Sequence, residues 1–152
     1  MTISIPQTAA ATPASLSALV DKYGKLPSDY VSFLGKHDGA TPQSNTFEGD
    51  ERGISVRQFL PAAKIISEAR ELEGLKEVLI PIASDDCGNY VCIGAIDHKI
   101  YFWDHEIDND TIIANSFAQF LERLKPFDPS EVQLKPGQVR HAWIDPKFKP
   151  EF

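Results

Sequence analysis

Two short stretches of the sequence are crowded with carboxylates. Asp85 and Asp86 stand side by side, and Asp104, Glu106, Asp108 and Asp110 alternate along the chain with no lysine or arginine between them. Such groups hold a metal ion, support hydrolysis, or attract a positively charged partner. The alternation from Asp104 follows a calcium loop in outline. Asn109, however, sits where that loop needs its sharp-turn glycine, and Asn115 where it needs a bidentate glutamate. For zinc, the candidates Cys87, Cys92, His98 and His105 fit no familiar ligand spacing. Asp86 followed by Asp97-His98-Lys99 has the outline of a metal-dependent nuclease, an acid and then acid-x-lysine. A strand of about seven residues separates the two halves, roughly 20 Å at ~3.3 Å per residue, so they cannot share one ion. There is no nucleophile elbow, phosphate-binding glycine loop or metalloprotease histidine pair. His37 falls on an apolar helix face and reads as a packed histidine, while His141, near Trp143, makes no pattern. No catalytic residue, metal site or cofactor is expected. What remains is the attraction of a basic partner.

The elements between the acids decide whether they act together. Residues 78–83, 89–95 and 99–103 read as three strands with short joins, hence antiparallel neighbours. In such a meander the segment holding Asp85 and Asp86 and the segment from Asp104 to Asp110 leave the sheet at the same end. Residues 96–98 turn at the other end, so the six carboxylates should share one rim. Repulsion among them is relieved by a basic surface, which also gains steering. Tyr90 and Trp103 lie near that rim and are candidate apolar centres for such an interface. Gly88 and Asn89 read as the structural part of the first loop, with Asn89 bonding to backbone. Apolar residues occur on both faces of the meander. Both faces are then covered, or one is covered and the other binds.

Four helices should flank this sheet. Thr12-Pro13 supplies a cap and a first-turn proline, and Leu16, Leu19, Val20 and Tyr23 form one face before Gly24. Pro27 opens a second helix whose Tyr30, Phe33, Leu34 and His37 share a side, and Gly39 ends it. Residues 40–53 read as a loop and 54–60 as a strand. Pro61 starts a third helix carrying Ile65, Ile66, Ala69 and Leu72, which Gly74 stops. Ser116 and Gln119 make a capping box for a helix over 116–125, with Phe117, Phe120, Leu121 and Leu124 buried. The fold class is therefore α+β, a central antiparallel meander with about four helices. Residues 1–11 are expected as a loose tail. Residues 12–152 are expected as one domain, with the proline-rich C-terminal segment packed back through Trp143, Ile144 and Phe148.

The chain has 152 residues, a net charge of −7 and a pI near 5.0, which argues against nucleic acid and anionic membrane as direct partners. The same charge keeps a protein soluble without any partner. Cys87 and Cys92 are five residues apart and make no secreted disulfide framework, so reduced thiols in a cytoplasmic protein are expected. No signal-peptide pattern or bilayer-length apolar run is evident.

Three stretches in order carry a family resemblance. They are Leu26-Pro27-Ser28-Asp29-Tyr30 through Phe33-Leu34 to Asp38-Gly39; Ile80-Pro81-Ile82-Ala83-Ser84-Asp85 with Gly88-Asn89-Tyr90-Val91-Cys92-Ile93; and Ile100-Tyr101-Phe102-Trp103-Asp104-His105-Glu106 with Ile113-Ala114-Asn115-Ser116-Phe117 and Phe120-Leu121. Over residues 16–125 the chain resembles the SUKH superfamily, in the branch named for the fungal Smi/Knr cell-wall-synthesis regulators. Cys87 departs from the glycine usual in that loop. The resemblance implies an α+β fold and function by protein binding without catalysis. Bacterial members are largely immunity proteins that neutralise toxins, many of them nucleases; fungal members are regulators with added arms. The expected partner is thus a basic toxin domain, or alternatively an endogenous protein.

Overall fold

The computed structural model describes residues 5–43, 45–48 and 53–126. The C-terminal segment expected to pack back through Trp143, Ile144 and Phe148 lies outside the described residues, as do His141 and residues 1–4. The order is α1 (Pro13–Tyr23), α2 (Ser28–His37), β1 (Thr46–Phe47), β2 (Gln58–Phe59), α3 (Ala62–Glu71), β3 (Leu79–Ser84), β4 (Tyr90–Gly94), β5 (Ile100–Asp104), β6 (Asn109–Ala114), α4 (Phe117–Glu122) and β7 (Leu124–Lys125). Among the described residues no helix is long and apolar enough to cross a membrane.

The expected meander is present and larger than expected. β2, β3, β4, β5 and β6 form one antiparallel sheet in that order. Tyr90 lies opposite Trp103, and Cys92 opposite Tyr101. Alternation then sorts the side chains by face. Ile80, Ile82, Val91, Ile93, Ile100 and Phe102 enter the main core with Leu19, Tyr30, Phe33, Leu34, Ile65, Phe117 and Phe120 from the helices. Leu79, Cys92 and Trp103 form a second, smaller cluster on the opposite face, covered by Leu72 and Leu75 just after α3. Pro81 lacks a donor for the ladder, and the register shifts between Pro81 and Ala83, a bulge that accommodates it.

The helices begin where their caps stand. Thr12 Oγ1 accepts from Ser15 N–H at 3.1 Å, and Ser116 Oγ from Gln119 N–H at 3.1 Å. Gln119 returns the contact by accepting the Asn115 N–H at 2.7 Å. α4 is shorter than the expected 116–125, because Leu124 and Lys125 leave the helix to pair with Phe47 and Thr46. That pairing places a strand inside the stretch read as a loop. The expected strand over 54–60 is likewise divided. Its first half bonds to the β1 region, with Val56 N–H on Asn45 O, and its second half to β3, with Leu60 N–H on Ile82 O. On α1, Leu19 is fully buried but Val20 stays 44% exposed, so the apolar face is narrower than its spacing suggested.

Residues 5–11 differ from the expected loose tail. The last carbonyls of a helix have no partner within it. Here Thr8 N–H bonds to Lys36 O at 2.7 Å and Ala11 N–H to Leu34 O at 3.0 Å, closing the end of α2. His37 Nδ1 donates to Pro6 O at 2.8 Å, and its ring lies 5.0 Å from that of Phe33.

Candidate functional site

The first acidic turn is built around Asp85. Its Oδ1 accepts from Cys87 N–H and Asn89 N–H, both at 2.8 Å, and its own N–H bonds to Asn89 O at 3.0 Å. These bonds close the turn from β3 to β4 and leave Asp85 8% exposed. Gly88 takes φ 87°, a left-handed value, and a Cβ there would stand 3.0 Å from His105 Cε1. Glycine is favoured by the backbone conformation, and a side chain there would have to displace the imidazole. Asn89 then joins this turn to the second one: its Oδ1 accepts from His105 N–H at 3.0 Å and from His105 Nδ1 at 2.7 Å. The two acidic segments therefore do sit on the same edge of the sheet, in direct contact.

The second turn uses its acids unequally. Asp104 Oδ1 accepts from Glu106 N–H at 3.0 Å. Asp108 adopts φ 49°, and its Oδ1 accepts from the indole N–H of Trp103 at 3.0 Å. Its carboxylate packs on the bare backbone of Gly74, where a Cβ would come within 3.0 Å of Oδ1. Asp110 lies in β6 opposite Trp103, and its carboxylate meets Lys76 Nζ at 3.2 Å.

The two acidic segments share one rim, but their six acids are not equally available. Asp85, Asp104, Asp108 and Asp110 are each engaged by the protein itself: turn backbone claims the first two, a buried indole the third and a lysine the fourth. Asp86, Glu106 and Asp108 are exposed, and Asp104 and Asp110 are half-buried. Of the two aromatic centres expected at the rim, Trp103 is corrected. Trp103 is 2% exposed and belongs to the second cluster. Tyr90 is half-buried, and its hydroxyl donates to Glu68 at 2.8 Å. Burial, followed by that bond to a carboxylate, pushes the Tyr90 hydroxyl up to about 12. The apolar group that does stand out is Ile107, 68% exposed at the tip of the second turn. Its signal in the sequence is an isoleucine inside an otherwise charged turn.

The possible metal ligands are dispersed. Cys87 is exposed and Cys92 fully buried, and both are free thiols. His98 lies in the turn at the other end of the sheet, its Nε2 bonded to Lys25 O. Among the described residues, no three His, Cys, Asp or Glu side chains are grouped to hold a metal ion. A groove of about 480 Å³ lies between α3 and the first turn, lined by residues that include Arg57, Lys64, Glu68, Asp86 and Tyr90.

Comparison with known proteins agrees with this architecture. The chain is 49% identical over 149 residues to the SPbeta prophage-derived uncharacterized protein YokK of Bacillus subtilis (strain 168), a match covering 80% of this chain and 77% of the relative. The model of the family SUKH_6, described as SMI1-KNR4 cell-wall, matches residues 23–121. That span runs from the end of α1 into α4 and contains the whole five-stranded sheet with both acidic turns, so the chain belongs to the SUKH family in its SMI1-KNR4 branch.

Proposed function

We propose that this chain is a non-enzymatic, cytoplasmic immunity protein that binds a basic toxin domain and blocks it by covering its surface. The observation that carries this reading is the pair of acidic turns tied together by Asn89 and His105. The first offers the exposed Asp86, and the second the exposed Glu106 and Ile107 with the half-buried Asp104 beside them. An exposed apolar side chain on an acidic turn suits a basic partner: the charges steer encounter and exclude wrong partners, and the apolar side chain offers an anchor. The turns are braced from within by Asp85, Asn89 and Asp108, so little order need be lost on binding. Family membership supports a protein-binding role, and the prophage origin of a relative fits a gene that travels with a competitive function.

The test begins with the adjacent gene. A large reading frame ending in a basic toxic domain should stand beside this one, and that purified domain should bind the chain one to one. Asp86→Asn with Glu106→Gln should slow association several-fold and flatten its salt dependence, since exposed charge acts mainly on encounter. Ile107→Ser should instead speed dissociation. Binding that ignores salt and all three changes would remove this surface from the account. The family's cell-wall description favours a second reading, an adaptor for endogenous proteins. Affinity capture from the host, with no toxin domain recovered and a housekeeping protein bound stoichiometrically, would select it.

A further inference from the structure

Lys64 and Glu68 lie one turn apart on α3, where opposite charges normally meet. Here Glu68 instead accepts the Tyr90 hydroxyl at 2.8 Å. Lys64 therefore forms no ion pair among the described residues, and neither does Arg57. Both cations line the groove between α3 and the first acidic turn, and the exposed Asp86 lines it too. Asp85 and Glu68 line the recess as well, so it presents two cations that form no ion pair beside three carboxylates, of which Asp85 is closed into its own turn and Glu68 holds the Tyr90 hydroxyl. The groove, about 480 Å³, is open to solvent and has room for a pair of side chains. Glu68 and Asp86 repel a polyanion, and Arg57 and Lys64 repel a polycation. A ligand carrying both signs a short distance apart matches this mixed lining.

We propose that this groove binds a dipolar peptide segment, with an acidic side chain on Arg57 and Lys64 and a neighbouring basic side chain on Asp86. Only Asp86 is shared with the docking surface proposed above, and the groove does not require that reading. The probe is the capped dipeptide N-acetyl-Asp-Lys-amide, titrated into the isotope-labelled full chain at low salt and followed by amide NMR. Saturable shifts should appear at Lys64, Glu68, Gly88 and Tyr90. N-acetyl-Asn-Lys-amide should bind about tenfold more weakly, the size of one charge-assisted hydrogen bond. The Arg57→Gln/Lys64→Gln variant should abolish the difference between the two peptides. Equal binding of both peptides to the native chain, or no saturable shift, would overturn the assignment. So would loss of peptide binding in an Asp104→Asn/Glu106→Gln variant, which would move the site to the second turn. Because the titration needs no toxin, its failure leaves the immunity reading standing, and failure of that reading leaves the groove intact.

Discussion

Asp85 and Glu106 carry the same charge on neighbouring turns, and their surroundings give them opposite tasks. Asp85 is buried and spends its carboxylate on two backbone N–H groups, whereas Glu106 faces solvent. Asp108 resembles Asp85, since its carboxylate satisfies the indole of a buried tryptophan. Asp108→Ala should therefore cost about 1–2 kcal/mol in chemical denaturation, because the indole N–H loses its acceptor. Asp108→Asn keeps an acceptor and tolerates a positive φ, and should stay near the native value. Equal losses for the two variants would contradict this role. The Tyr30 hydroxyl presents the reverse case. It is buried with no hydrogen-bond partner among the described residues, so Tyr30→Phe removes an unsatisfied group without opening a cavity. That variant should match the native stability or exceed it by about 1 kcal/mol. A clear loss would point to a partner for the hydroxyl.

At the level of elements, the sheet edge depends on a contact between two hairpin turns. Gly88 permits the close approach of His105, and Asn89 fastens it. Gly88→Ala combines left-handed backbone strain with a clash and should cost about 1–3 kcal/mol. Asn89→Ala should shift the His105 side-chain resonances as well as lower stability; unchanged resonances would mean the turns hold their places independently. α4 is set by its cap, so Ser116→Ala should cost about 1 kcal/mol. Three elements went unread in the sequence for a shared reason. β6 holds Asn109, Asp110 and Thr111, which look like a polar loop until the register opposite β5 makes them a strand. β1 and β7 are two residues each and exist only because they meet, far apart in the chain.

For the whole molecule, the four tyrosines offer a common probe. Burial raises Tyr23 and Tyr30, burial and then the bond to Glu68 raise Tyr90 to about 12, and the bond to Asp97 and then burial raise Tyr101 to about 12. The folded values lie above the ordinary 10.0. Their contribution to stability is therefore fully present below pH 10 and is lost as pH rises through the folded values. Tyrosinate absorbance should stay low up to about pH 10 and then rise together with loss of structure. A full tyrosine equivalent titrating near the ordinary value with the fold intact would contradict these shifts.

Local order was legible in the residues because its causes are local. Apolar spacing, caps and short joins specify α1 to α4, the antiparallel meander and its handing of two acidic turns to one edge, whatever the rest of the chain does. Which carboxylates on that edge are free is decided elsewhere. Asp85 and Asp104 are taken by backbone of their own turns, Asp108 by the indole five residues before it and Asp110 by a lysine beyond α3, and the last of these claims exists only once distant segments meet. Tertiary packing also buried Trp103, exposed Ile107 and turned Glu68 toward Tyr90. A side chain's charge is written in the sequence, but its availability depends on which neighbours reach it first.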